Sequence, residues 1–129
     1  MSIRRSIAAL NLGVVLSLST APTNAADVLQ TGTFVGAGGH KASGNVSIVM
    51  DGDVMKVVFA EDFVLQQAPA PRLAWGKDGY TKGTIFATLA KFKGVQEYII
   101  SAGTDLRQFN EFWIWCEKFN VPLAVAKLR

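Results

Sequence analysis

Apolar and polar residues alternate along much of the chain, and the clearest alternation runs over residues 45–59. Apolar side chains occupy every second position before the Asp51-Gly52 dipeptide and again after it. Such alternation is typical of strands with one buried face, and Asp-Gly favours a two-residue type I′ turn. A turn centred on this dipeptide pairs Met50 with Asp53 and leaves the apolar residues of both strands on one face. The sequence therefore predicts a β-hairpin with this register.

Shorter alternating segments between turn signals predict the remaining strands. They are residues 28–35, 73–75, 84–89, 95–100, 112–116 and 121–126. Ala68-Pro69-Ala70-Pro71 is a stiff extended connection that suits a crossing between sheets. Pro122 cannot donate to a ladder, so its strand begins there or lies at an edge. Because no segment shows sustained helical periodicity, we expect one all-β domain over 26–129, an antiparallel β-sandwich or flattened barrel.

Composition and charge limit the class of protein. The chain has 129 residues, half of them hydrophobic, which suits one domain and leaves no room for two ordinary ones. The formal net charge is +3, but after residue 25 eleven basic residues face ten acidic ones without a basic cluster. A domain this close to neutral lacks the electrostatic footprint of a nucleic-acid-binding protein. We therefore expect no nucleic-acid partner.

The first 25 residues have the layout of a secretory signal peptide. The segment 1–5 is short and basic, and residues 7–18 are mostly apolar. A turn followed by small residues then ends at Ala25. The apolar run is about 12 residues long and contains Asn11, whereas about 20 are needed to cross a bilayer. We predict cleavage after Ala25, a secreted or periplasmic protein that begins at Ala26, and no membrane anchor in the mature chain.

Cys116 is the only cysteine of the chain and the most informative single residue. It shares one face of its predicted strand with Phe112 and Ile114, while Trp113 and Trp115 share the other. Apolar residues on both faces predict a central strand covered on both sides. From these residues alone, Cys116 is either a small buried hydrophobe or a reactive or ligating thiol at the rim of the core. An unpaired thiol in an oxidising compartment is a liability unless it is buried or used.

His40 is the only histidine and follows the glycine-rich sequence Gly36-Ala37-Gly38-Gly39. This flexible approach allows the imidazole to face a thiol, a metal or a cofactor, and the alternative is an ordinary surface-loop histidine. One cysteine and one histidine build neither a disulfide framework nor an all-protein zinc cage, so we expect no metal site. Glu61-Asp62 is interpreted as a solvated loop rather than a weak ion site.

Taken in order, these residues resemble the electron-transfer DM-thirteen (DM13) domain. That small module accompanies DOMON domains in Skeletor-type cell-surface proteins and also occurs in secreted bacterial proteins. The resemblance covers nearly all of the chain after the leader, and Cys116 falls where the family's characteristic cysteine belongs. It rests on Gly32-Thr33-Phe34, residues 40–46, Glu61-Asp62-Phe63, residues 94–98, Asp105-Leu106, Ile114-Trp115-Cys116 and residues 119–126.

The resemblance implies an all-β domain with a part in extracytoplasmic redox chemistry. In the proposal attached to the family, the cysteine acts as a bare thiol or as a ligand to a prosthetic group such as haem. Cys116 is then the redox thiol or ligand, and His40 is a second candidate for cofactor binding. The module would serve a redox partner protein and would have no enzymatic activity of its own. The alternative is a secreted binding or structural domain in which Cys116 is simply packed.

Two positions depart from the family pattern. Ala70-Pro71-Arg72 stands where the family usually has Gly-Pro-Asp, which exchanges an acidic side chain for a cation. Pro122-Leu123-Ala124-Val125 replaces an aromatic-glycine step next to the strand of Cys116. We expect the first change to alter the role of this loop and the second to alter packing beside the thiol.

Overall fold

The computed structural model of the protein describes residues 13–14 and 26–129. The predicted signal peptide, apart from residues 13–14, lies outside the described residues. From residue 26 onward the chain forms ten strands and one short 3₁₀ turn at Leu106–Gln108, with no α-helix among the described residues. The strands are β1 Asp27–Gly36, β2 Ala42–Ser43, β3 Asn45–Asp51, β4 Val54–Phe59, β5 Val64–Leu65, β6 Pro71–Gly76, β7 Ala87–Thr88, β8 Gln96–Ile99, β9 Glu111–Cys116 and β10 Val121–Lys127.

Eight of these strands form one antiparallel sheet in the order β7-β6-β9-β10-β1-β3-β4-β8. The long strand β1 joins the two halves, because it pairs with β3 on one side and with β10 on the other. The sheet curls until it is nearly closed, with β7 and β8 as its two edges. The predicted all-β sandwich or flattened barrel is thus confirmed. Residues 66–70, which include most of the predicted connection 68–71, lead from β5 in the separate two-stranded β2–β5 sheet to β6 in the main sheet, so the predicted crossing between sheets is present.

The core of the barrel is rich in phenylalanine. Phe34, Phe59, Phe63 and Phe112 are all buried, and their ring centroids lie 4.6–6.0 Å apart in tilted or edge-to-face arrangements. Each buried ring contributes about 1.5–3 kcal/mol of transfer free energy relative to an exposed one. These rings come from strands on both halves of the sheet and from the segment before β5, so their contacts hold the curled sheet together.

The β3–β4 hairpin forms as predicted, but its predicted register is wrong by two residues. Met50 pairs with Met55 rather than with Asp53, and Asp51 pairs with Val54. The loop is Gly52-Asp53, in which Gly52 has a φ of 60° and Asp53 has no positive φ. That combination fits a type II′ turn rather than type I′. The observed register places the apolar side chains of Met50 and Met55 opposite each other. Because the register differs from the predicted one by two residues, which is the period of a strand, every residue stays on its predicted face.

The other segments differ from prediction mainly in length. Only Ala87–Thr88 of the predicted strand 84–89 is regular, and two short strands, β2 and β5, were not predicted. β2 and β5 pair with each other and have only two residues each, which is too short for any alternation to appear in the sequence. Pro122 is the second residue of β10 and precedes an irregularity in the β9–β10 register, so the expectation that its strand begins there is confirmed.

Candidate functional site

Cys116 is the last residue of β9 and lies at one end of the barrel. It is paired with Pro71 at the start of β6 and with Val121 at the start of β10. The same end holds segments 37–44, 60–70, 89–95 and 117–120, because antiparallel strands alternate in direction. We call these four segments together with Cys116 the thiol end.

The Cys116 side chain is buried in the core and is only 1% exposed. Its strand partners place the sulfur on the inner face, on the same side as Phe112 and Ile114. β9 lies between β6 and β10, as expected for a central strand. The predicted central position is confirmed, and Cys116 packs as a small hydrophobe in this structure.

The small β2–β5 sheet closes the core at the thiol end. Leu65 and the preceding Phe63 are both buried within the core. Gly44 has a φ of 102°, and a Cβ at this position would collide with the backbone of Phe63. Only glycine therefore allows β2 to turn into β3 directly against this segment. This close approach gives a physical reason for Gly44 and Phe63 in the motifs that carry the family resemblance.

Asp62 binds Asn45 in the same region. Its two carboxylate oxygens accept hydrogen bonds from the Asn45 backbone N–H at 2.8 Å and from the side-chain amide at 2.6 Å. The side-chain oxygen of Asn45 accepts from the Thr33 hydroxyl at 2.8 Å. Glu61 and Asp62 lie in an exposed turn, so the interpretation as a solvated loop is confirmed. Asp62 in addition ties the segment before β5 to the start of β3. This pairing could not be predicted from local sequence patterns, since the partners are 17 residues apart.

His40 lies on the loop between β1 and β2, at the thiol end. Its backbone N–H donates to the carbonyl of Ala37 at 3.0 Å, and the Ala37 N–H donates to the carbonyl of Leu123 at 3.0 Å. The loop is therefore held against β10, the strand beside that of Cys116. His40 is half-buried. Within the described residues, its imidazole makes no hydrogen bond, so the structure brings His40 and Cys116 to one end without linking their side chains.

Arg72, one of the two departures from the family pattern, forms an ion pair with the residue that follows Cys116. Its Nε lies 3.0 Å from Oε2 of Glu117, in a geometry that is not that of a hydrogen bond, and its Nη1 donates to the Thr88 hydroxyl. The Glu117 backbone N–H donates to the carbonyl of Ala70 at 3.1 Å. The cation thus fastens the chain just beyond Cys116 to β6.

The outer face of β9 carries an aromatic cluster behind the thiol. The ring of Tyr80, from the segment after β6, stacks on Trp115 with a centroid distance of 3.9 Å, and Trp113 lies 6.2 Å from Trp115. The indole N–H of Trp115 donates to the side-chain oxygen of Asn120 at 3.1 Å. Tyr80 was not singled out from the sequence, because it reaches β9 only when the segment after β6 folds back over the sheet.

The seam between the edge strands is closed by side chains of β8. Gln96 accepts from the Lys91 N–H at 3.1 Å and donates to the Lys91 carbonyl at 2.9 Å. The Tyr98 hydroxyl donates to Gln96 and accepts from the Ala90 N–H at 2.8 Å. Burial raises the pKa of Tyr98 above its usual value of 10.0, and the hydrogen bond from Ala90 opposes this in part. These bonds hold segment 89–95 where strand pairing ends.

A haem does not fit beside Cys116 in this packing. A prosthetic group of that size needs a cleft of several hundred Å³, and the side chain is enclosed by the core. A groove of about 540 Å³ lies over the outer face of β1, β3 and β10, and one of about 280 Å³ lies beside the β3–β4 turn. Neither groove is lined by Cys116 or His40.

Comparison with models of known families assigns the chain to a family. The family model described as Electron transfer DM13 matches residues 33–128, three quarters of the chain. The chain belongs to the DM13 family. The family's electron-transfer assignment supports a general redox role for this DM13 domain. No curated protein and no solved structure matches the chain.

The motifs that carried the resemblance now have structural roles in the DM13 domain. Gly44 and Asp62 hold the small β2–β5 sheet, the cap of the thiol end, against the start of β3. Gln96 and Tyr98 join β8 to segment 89–95 by hydrogen bonds. Cys116 is the last residue of the central strand β9. Within the described ranges, no group of three or more His, Cys, Asp or Glu residues is placed to hold a metal ion. Likewise, no helix of the described part is long and apolar enough to cross a membrane.

Proposed function

We propose that this protein is an extracytoplasmic electron-transfer module in which the thiol of Cys116 is the redox centre. The observation that carries the proposal is the DM13 match, which includes Cys116, the only thiol of the chain. Its position supports the assignment, because the residue ends a central strand beneath loops that join neighbouring strands. The residue lies at one end of the barrel, and its side chain is 1% exposed.

The chemistry that suits a single thiol is a two-electron cycle. The thiol and a hydroperoxide give a sulfenic acid at Cys116 and an alcohol, or water when the oxidant is hydrogen peroxide. A thiol of a partner protein condenses with the sulfenic acid, which forms a mixed disulfide and releases water. A second thiol of the partner then attacks that disulfide and restores the Cys116 thiol. The partner supplies both reducing thiols because this chain has no resolving cysteine.

The extracytoplasmic location in this proposal rests on the leader-like first 25 residues. A basic start, an apolar run and small residues before Ala26 are the features that signal peptidase uses. Intact-mass analysis of protein recovered from the medium or periplasm tests the location. We expect a chain that begins at Ala26. A mass that retains residues 1–25 would contradict the cleavage and with it the proposed compartment.

The redox role is tested by trapping the oxidised sulfur. We expect peroxide followed by dimedone to add one label to the native protein, at Cys116, and none to Cys116→Ser or Cys116→Ala. The melting temperature of both variants shows whether the fold persists, since serine leaves a buried hydroxyl and alanine leaves a small cavity. His40→Ala should slow labelling if the imidazole assists the thiol, and Lys77→Ala, at the other end of the barrel, is the matched control.

A second candidate function is favoured by one specific observation. At 1% exposure, Cys116 is packed as tightly as the aliphatic core residues around it, which is what a secreted binding or structural domain with an inert cysteine would show. Absence of dimedone labelling in the folded protein, together with full labelling after unfolding, would favour this alternative over the redox proposal.

A further inference from the structure

Four exposed lysines surround the thiol end. Lys41 follows His40, Lys91 and Lys93 lie on the segment before β8, and Lys118 follows the Cys116 strand. Backbone hydrogen bonds fix their segments relative to one another. The Lys41 carbonyl accepts from Gln66, and the carbonyl of the residue between Lys91 and Lys93 accepts from the β5 strand at 2.7 Å. Residues far apart in sequence thus present their charges on one end of the barrel.

The charges at this end are not balanced. Its carboxylates are Glu61, Asp62 and Glu117, and the last is paired with Arg72 of β6. Four lysines therefore face two unpaired acidic charges, which gives the thiol end, counted with Arg72, a net charge of +2. The rest of the chain after residue 25 has six basic and seven acidic residues, a net of −1. The domain is electrically polarised, with its positive pole over the buried thiol.

Exposed apolar side chains lie among these lysines. Phe119, at the tip of the β9–β10 hairpin, is 61% exposed, and the Nζ of Lys118 lies 5.3 Å from its ring centroid. Val121 and Val64 are also exposed at the same end. Exposed aromatic and aliphatic side chains that share one end of a domain with an excess of positive charge favour a surface that binds another protein.

We propose that the thiol end is a docking surface for an acidic protein partner. Phe119 and Val121 would enter an apolar patch on that partner, and Lys41, Lys91, Lys93 and Lys118 would face its carboxylates. Such complementarity raises the association rate and turns the positive pole toward the partner before contact. The inference rests on the proposed function in one respect: the docked partner is taken to be the protein that exchanges electrons with Cys116.

The surface is tested by binding alone, without any redox step. The probe is a short peptide of alternating glutamate and leucine, added to ¹⁵N-labelled protein at low salt, with a lysine-leucine peptide as its charge-reversed control. We expect the amide shifts to concentrate on segments 37–44, 89–95 and 117–121. Raising the ionic strength should weaken binding, because the Debye length falls to about 10 Å at 0.1 M.

Matched variants locate the effect. Lys41→Glu with Lys118→Glu should raise the peptide Kd at least about tenfold. Lys77→Glu with Lys82→Glu, an equal change of charge on the segment at the opposite end, should change the Kd less than about threefold. Phe119→Ser should weaken binding, whereas Ile85→Ser, another exposed apolar residue on that opposite segment, should not.

Three outcomes would overturn the docking proposal. Shifts spread equally over lysines at both ends would indicate unspecific attraction of a polyanion. Absence of shifts would show that the surface does not bind acidic chains. Sedimentation with phosphatidylglycerol vesicles in the absence of peptide binding would identify a membrane rather than a protein as the occupant. Cys116→Ser should bind the peptide like the native protein, and the Lys41/Lys118 variant should retain peroxide labelling, so failure of docking and failure of the redox function are distinguishable.

Discussion

The carboxylate of Asp62 holds both the backbone and the side chain of Asn45, with hydrogen bonds of 2.8 Å and 2.6 Å. One acidic residue thereby satisfies the first N–H of β3 and orients the amide that accepts from Thr33. Because the segment of Asp62 leads directly into Phe63 in the core, this pair connects the cap of the thiol end to the sheet. A bond between an exposed loop and a strand end is a place where one substitution should be measurable.

Replacing Asp62 tests this connection. Asp62→Ala removes the acceptor for two charge-assisted hydrogen bonds, one from the backbone and one from the side chain of Asn45, so we expect a loss of about 1–2 kcal/mol in the free energy of unfolding. Urea denaturation of the native protein and the variant measures it. Glu61→Ala changes the neighbouring exposed carboxylate and should stay within about 0.5 kcal/mol. Equal effects of the two substitutions would show that the Asn45 contact contributes nothing specific.

The β3–β4 turn makes a second prediction. Gly52 has a φ of 60°, and a Cβ built there meets no atom within 4 Å, so any cost of a side chain comes from the backbone conformation alone. Gly52→Val should lower the free energy of unfolding by about 1 kcal/mol or more, because β-branched residues resist positive φ. Gly103 also has open space around it and has no positive φ. Gly103→Val should therefore be tolerated, and an unchanged urea midpoint for Gly52→Val would mean that the turn has another conformation.

The burial of Tyr98 on β8 predicts that the stability of the protein depends on pH in the alkaline range. Burial raises the pKa of this phenol above 10.0 in the folded protein. The folded state therefore holds the proton more tightly than the unfolded state, and this contribution is complete below pH 10 and is lost as pH rises through the raised pKa. We expect the unfolding midpoint in urea to fall more steeply above pH 10 in the native protein than in Tyr98→Phe.

The same substitution also has an effect at neutral pH. Tyr98→Phe leaves the Ala90 N–H without its acceptor, which should cost about 1 kcal/mol. Tyr80→Phe keeps the stack on Trp115 and is the matched control for the neutral stability, which it should leave unchanged. Parallel alkaline slopes for the native protein and Tyr98→Phe would contradict the assignment of the pH effect to this residue.

The burial of Cys116 predicts that its thiol reacts slowly with reagents in solution. Reaction with a bulky disulfide reagent requires the thiol end to open, so the native protein should react at least about tenfold more slowly than the same protein in urea. The rate is followed by the absorbance of the released thiolate. Glu117→Gln weakens the ion pair with Arg72 and should accelerate the native reaction, whereas Glu97→Gln, on the far half of the sheet, should not. A native rate equal to that in urea would show that the sulfur is open to solvent.

Four features could be predicted before any tertiary contact was known: the fold class, the central position of β9, the hairpin at residues 45–59 and the family. Each of these follows from information that is local in the chain: the period of two in apolar residues, the turn residues between them, and short motifs in a fixed order. The register of the hairpin could not be predicted from this local information. Type I′ and type II′ turns are both compatible with an Asp-Gly-Asp sequence, and the pairing of Met50 with Met55 decides between them only when the core is assembled.

The surroundings of Cys116 depend on contacts between distant parts of the chain and could not be predicted from the sequence. The β2–β5 cap, the Asp62–Asn45 bonds, the Arg72–Glu117 pair and the stack of Tyr80 on Trp115 join residues that are 17 to 45 positions apart. No periodicity encodes such contacts, because each involves one or two side chains brought together by the closure of the sheet. The gathering of four lysines at the thiol end has the same origin: antiparallel strands return the chain to that end repeatedly, and a charge that looks isolated in the sequence becomes part of one surface.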